Sequence, residues 1–247
     1  MSEANLIPAS WQAVSGYEFK ELRYAGLVID TDYQEVVDEV RDILDAFTIR
    51  RTDVLAGGGG KTVMVKWLEG RFNEFGWHKR NFDVNISVDG IARQSLTHEI
   101  DHVRALDDDR HPIALEIEWN NKDPFFDRDL QNFRSLHDVG AISAGIILTR
   151  GPGMQDALAA TYMDAYERKP EEDIKSIITA WKSASQREQL RNMSLEDAAS
   201  WLANKAFQSK YGQATTHWSK LMDRIDRGLG DPCPLILIGV TDKRLVD

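Results

Sequence analysis

Apolar residues at Tyr33, Val36, Val37, Val40, Ile43, Leu44 and Phe47 recur three and four positions apart. That spacing marks one face of a helix and predicts an amphipathic helix over residues 31–47. Asp32 followed by Glu35 has the pattern of a capping box at its start. The run Ala56-Gly57-Gly58-Gly59-Gly60 predicts a flexible turn. Val63, Val65 and Trp67 then alternate with Thr62, Met64 and Lys66, which predicts a strand over 61–68. Residues 69–96 carry no clear period. Strands are expected at 97–104 and 113–119, with the polar segment 105–112 as the turn between them. A helix follows near 127–137, apolar at Phe126, Leu130, Phe133 and Leu136. The almost wholly apolar, isoleucine-rich stretch 141–149 reads as a buried strand.

These elements run in the order αβββαβ, so the fold class is α/β. A hairpin, a crossover helix and a buried strand place the last strand beside the hairpin through a right-handed connection. The remainder is mostly helical, at 154–166, 171–183, 195–210 with Ser194 as N-cap, and 216–229 closed by Gly230. A strand at 234–240 ends the pattern. With no internal repeat and no evident linker, residues 1–247 are expected to form one domain. Its core spans about 31–150, with a helical elaboration at 151–230.

Composition narrows the class. The 42% hydrophobic and 28% charged content is that of an ordinary soluble protein. The longest apolar stretches have strand length, and the first residues lack the pattern of a signal peptide. A lone Cys233 excludes an internal disulfide and suits a reducing cytoplasm. The net charge of −10 argues against a protein that coats DNA nonspecifically, although residues 61–80 hold five Lys or Arg against two Glu. Trp181, Trp201 and Trp218 fall on apolar helix faces and read as core.

The chemistry concentrates at 97–130. Glu116 and Glu118 lie two apart on one strand and share a face, while Leu115 and Ile117 fill the other. Two carboxylates among apolar neighbours are costly unless something positive joins them. Asp101, in the middle of the partner strand, is placed to lie across from them, and three such acids suit a hard cation such as Mg²⁺. A merely solvated polar face fits the same spacing, and Asn120 continues it.

Asp101, then Glu116-Ile117-Glu118 at the end of a hairpin within an αβββαβ order, resembles the PD-(D/E)xK nuclease core. More narrowly, the runs 100–103 and 113–121 with the following helix are similar to the BglII/BamHI-like type II restriction endonucleases. The resemblance implies a restriction-endonuclease-like mixed central sheet and Mg²⁺-dependent cleavage of double-stranded DNA at a specific palindromic site. It also implies a homodimer, with each subunit cutting one strand to leave a 5′-phosphate. By position, Asp101, Glu116 and the Ile117 carbonyl would hold Mg²⁺. Glu118 stands where most of the superfamily has Lys, and BamHI-like members share Glu there. It would orient or deprotonate the attacking water or bind a second metal. Lys122 is a candidate to approach the phosphate. Asn121, Lys122 and Arg150 follow strands that bear or flank the acids and are the DNA-binding candidates. Asp107 is a rival ligand from an acidic turn.

Two further motifs compete. His98-Glu99-Ile100-Asp101-His102 matches the zinc-peptidase pattern H-E-x-x-H, which functions on a helix. Asp101 charges its interior, and Pro112 ends the segment soon after. The run 57–62 has the look of a phosphate-binding loop, but Leu55 stands where its first glycine belongs. A DNA-binding or interaction module on a nuclease fold that does not cut is the remaining alternative.

Overall fold

The computed structural model describes residues 6–56 and 60–247, apart from the side chain of Gln94. The glycine turn expected at 56–60 therefore lies largely outside the described residues. In chain order the elements are α1 (Ala9–Gln12), β1 (Tyr17–Leu22), α2 (Ala25–Asp32), α3 (Gln34–Ala46), β2 (Ile49–Arg50), α4 (Arg51–Leu55) and α5 (Val63–Glu74). Then come β3 (His78–Val88), β4 (Ile91–Arg104), β5 (Ile113–Glu118), α6 (Phe125–Asp138) and β6 (Ala144–Arg150). The chain closes with α7 (Met154–Glu167), α8 (Glu171–Ala180), α9 (Ala184–Arg191), α10 (Leu195–Tyr211), α11 (Trp218–Ile225), β7 (Leu235–Val240) and β8 (Leu245–Val246).

Six strands form one mixed sheet in the order β1-β7-β6-β5-β4-β3. The three central strands β5, β6 and β7 run parallel, and β1, β4 and β3 are antiparallel to their neighbours. Alternation along each central strand divides the core between the two faces. Ile113, Leu115, Ile117, Ile146 and Leu148 pack with the apolar stripe of α3 and with α5. Ala114, Ile147, Leu235 and Leu237 pack with Phe126, Leu130, Phe133 and Leu136 of α6 and with α11. A third cluster joins α8, α9 and α10, where Trp181 and Trp201 meet edge to face at 5.3 Å. The α/β class and the restriction-endonuclease-like layout expected from the sequence hold.

Several local expectations are corrected. Residues 61–68 begin a helix: Thr62 Oγ1 accepts from the Val65 N–H at 3.3 Å, and Met64, Val65, Leu68 and Phe72 bury one helical face. The alternation that suggested a strand leaves Val63 and Trp67 exposed. The first strand of the meander is instead β3, from the segment without a period. The Asp32–Glu35 capping box does not form, because Asp32 ends α2 and Glu35 pairs with Arg110 at 3.2 Å. The helix expected over 171–183 stops at Ala180, and Ser183 caps α9. The one expected over 216–229 narrows to α11.

The hairpin of β3 and β4 positions the site. Asp89 and Gly90, with φ of 52° and 78°, make its two-residue turn. β4 has 14 residues and β5 has six, and the two pair at His102–Leu115, Val103–Ala114 and Arg104–Ile113. Most of the hairpin thus runs on as a two-stranded ribbon past the carboxyl end of β5. Its register slips where it meets the sheet: His78 faces Val103, whereas Arg80 faces Ile100. Two residues, Asp101 and His102, therefore oppose the single Lys79, which is a β-bulge.

Candidate active site

The bulge and the strand beside it bring the acids together. Glu116 and Glu118 are each 2% exposed and lie on the face of β5 that also carries Ala114, the face covered by α6. The bulge frees the main-chain N–H of Asp101 from its ladder, and Glu116 Oε1 accepts it at 3.2 Å. The Asp101 carboxylate is partly exposed and has Lys79 Nζ at 3.8 Å, while Lys79 also pairs with Glu99 at 2.6 Å. Asn121 Nδ2 donates to both oxygens of Glu118, at 3.1 and 3.0 Å. The Thr149 hydroxyl donates to the Glu118 carbonyl at 2.6 Å and ties this end of β5 to β6.

A fourth acid, Asp129 of α6, completes the cluster and is fully buried. Its Oδ1 accepts from Arg128 Nε at 2.8 Å, and Arg128 Nη2 lies 4.0 Å from Glu118. No donor reaches Asp129 Oδ2 unless Glu118 carries a proton and shares it. Burial and then the charge of Asp129 push the Glu118 carboxyl up to about 9, against the pull of Asn121 and Arg128. Glu116 is driven well above the usual carboxylate range by burial, then by Asp129, Asp101 and Glu118. Asp129 itself is raised by burial, with Arg128 opposing. The fold holds more buried negative charge here than Arg128 alone offsets.

These observations test the fit of a divalent cation. Among the described residues no three Asp, Glu, His or Cys side chains already converge on one point. The acids instead stand as two adjoining groups, Asp101 with Glu116 and Glu118 with Asp129. The donor set is nonetheless all oxygen, contains a buried oxygen without a donor, and favours added positive charge. That chemistry suits a hard divalent ion.

The other candidate residues fall as follows. Ile117 packs its side chain into the core on the opposite face. Asn121 and Lys122 are exposed just past β5, with Lys122 bridged to Thr215. Arg150 is corrected: it is fully buried, and its five N–H donors go to Thr216, Gln155, Tyr211 and Thr215. It welds the segment before α11 to the end of β6 and has no donor left for a phosphate. Asp107 sits exposed in the turn near Arg104. The H-E-x-x-H motif lies on strand β4, where His98 pairs with Asn132 at 2.8 Å, His102 packs on Phe72 and Glu99 holds Lys79. No zinc-peptidase helix exists there.

Sequence reasoning missed Asp129 and Arg128. The signal was present, since Phe126, Asp129, Leu130 and Phe133 follow the three-and-four spacing that puts Asp129 on the buried stripe of α6.

A family model described as restriction endonuclease BglII/BglIII matches residues 17–240. The chain belongs to that family. This restriction endonuclease is a site-specific deoxyribonuclease, of a kind that generally uses divalent metal ions. The match runs from β1 to β7 and so covers all six strands of the central sheet. No curated protein matches the chain. No helix among the described residues is long and apolar enough to cross a membrane.

Proposed function

We propose that this endonuclease acts as a Mg²⁺-dependent homodimer that hydrolyses one phosphodiester in each strand of a palindromic DNA site. Asp101, Glu116 and the Ile117 carbonyl are the residues that would hold the ion. When bound, Mg²⁺ lowers the pKa of coordinated water and offsets charge on the phosphate. Glu118 is the group that orients the attacking water and takes its proton. Asn121 fixes its carboxylate, while burial and Asp129 raise its proton affinity, which strengthens it as a base once it is ionised. Arg128 steadies Asp129 and so keeps the second acid of that pair in place. Attack at phosphorus expels the 3′-oxygen and leaves a 5′-phosphate. Asn121 and Lys122, exposed beyond β5, contact the DNA. Two-fold symmetry of the protein would match a palindromic target.

The observation that carries this reading is the buried pair Glu116 and Glu118 beside the bulged Asp101, with Asp129 behind it. Plasmid digestion with Mg²⁺, with Zn²⁺ and with chelator tests it. Discrete fragments with 5′-phosphate ends, formed with Mg²⁺ and abolished by chelator and by Glu116→Ala, are expected. Casein hydrolysis with Zn²⁺, or DNA retention without cutting, would overturn it. Sedimentation in the presence and absence of DNA tests the dimer.

A further inference from the structure

An open groove of about 770 Å³ lies beside the segment that follows the catalytic strand. Asn120 and Lys122 form one wall, α7 contributes Tyr166, and α10 contributes Gln208 and Lys210. Lys169, just past α7, stands at its far side. The chain as a whole has 40 acidic residues against 30 basic. Yet the groove is lined by three lysines and by no Asp or Glu among the described residues. The neighbouring hollow around Lys169 includes Glu167 and Glu171, so the acid-free track ends there. The lysines are held in place: Lys210 Nζ donates to the Val54 and Ala56 carbonyls at 3.1 and 2.8 Å, and Lys169 lies over the Tyr166 ring at 5.5 Å. Asn121, which grips Glu118, stands in the chain between the lining residues Asn120 and Lys122.

We propose that this groove carries the sugar-phosphate backbone of the DNA flanking the scissile bond, with Lys169 and Lys210 as phosphate contacts beyond Lys122. The proposal rests on the nuclease reading above. A polyanion approaching an acidic protein collects where cations are unopposed, and the lining matches that requirement. Neutral donors at Asn120 and Gln208 suit phosphate and sugar oxygens without selecting a base.

The test is a salt titration of binding to a fluorescein-labelled 30-base-pair duplex in chelator, comparing wild type, Lys169→Ala and Lys122→Ala/Lys169→Ala. Each phosphate contact contributes about 0.9 to the slope of log K against log salt. Losing one makes the wild-type advantage shrink about 3.5-fold between 50 and 200 mM salt, and losing two about 12-fold. Lys205→Ala, whose ammonium lies over Trp201 outside the groove lining, should leave the slope unchanged. Melting curves establish that each variant is folded. Unchanged slopes in both groove variants, or an equal change in Lys205→Ala, overturn the proposal. Wild-type protein that neither binds duplex nor cuts plasmid with Mg²⁺ would instead defeat the nuclease reading itself, and this proposal with it.

Discussion

Replacing Glu118 by glutamine should abolish cleavage and, in the metal-free protein, raise stability. In the unfolded chain a glutamate titrates near 4.3, whereas burial and Asp129 place Glu118 at about 9 in the fold. The folded state therefore holds a proton that the unfolded state releases between those values. Stability from this group is fully present below the unfolded value and is lost as pH rises toward the folded one. Each pH unit in that window costs about 1.4 kcal/mol, so at pH 7 the penalty reaches roughly 4 kcal/mol. Glutamine carries no such penalty. Its carboxamide can still accept from Asn121, and its NH₂ can donate to Asp129 Oδ2, which otherwise lacks a donor. For a chain of this length a gain of about 4 kcal/mol corresponds to a melting temperature higher by about 8–16 °C. Circular dichroism melts of both proteins in chelator, at pH 4.3, 7 and 8.5, measure it. The gain should nearly vanish at the lowest pH, where the folded group is protonated and the unfolded group half so. A gain of equal size at pH 4.3, or none at pH 7, would refute the reasoning.

Other outcomes follow from the same geometry. Asp129→Asn should also raise the metal-free melting temperature, and it should weaken Mn²⁺ binding measured by calorimetry, because it removes buried negative charge that favours a cation. Arg150→Met should destabilise the fold by about 3 kcal/mol, read from urea unfolding, because it strands the buried Thr216 carbonyl, which accepts two Arg150 donors. Gly145→Ala should cost about 2 kcal/mol, since a Cβ there would meet Phe133 at 2.5 Å and Leu235 at 2.9 Å. Excess Mg²⁺ should raise the melting temperature of the wild type and leave Glu116→Ala nearly unmoved.

Much of this was legible in the chain. The two-residue period of Glu116 and Glu118, the stripe of α6 and the apolar run of β6 each follow from burial on a known face, and burial leaves a periodic trace. The ribbon β3–β4 left little trace, because Ile86, Val88, Ile91 and Leu96 remain exposed and polar residues stand on both of its faces. Its turn was nonetheless written as Asp89-Gly90, the residue pair that accepts positive φ at both positions. The segment 61–68 misled because Val63, Val65 and Trp67 alternate by chance while Met64, Val65, Leu68 and Phe72 follow the helical period that governs. Arg150 misled in a different way: strand ends near a cleft are the usual place for ligand contacts, but here α7, the end of α10 and the loop after it close over the end and use every donor.

The extra residue in β4 works as a phase shifter between two stretches of one strand. Below it, Val103 faces α6 and His102 faces Phe72; above it, Ile100 and His98 face α6 once more. Deleting either Asp101 or His102 would leave Val103 and Ile100 two positions apart and on the same face in a regular ladder, and would remove the bulge that turns the Asp101 N–H to Glu116. The apolar layer would keep its phase while the Asp101–Glu116 contact is lost, so the spacing between His98 and Val103 serves the acids rather than the core.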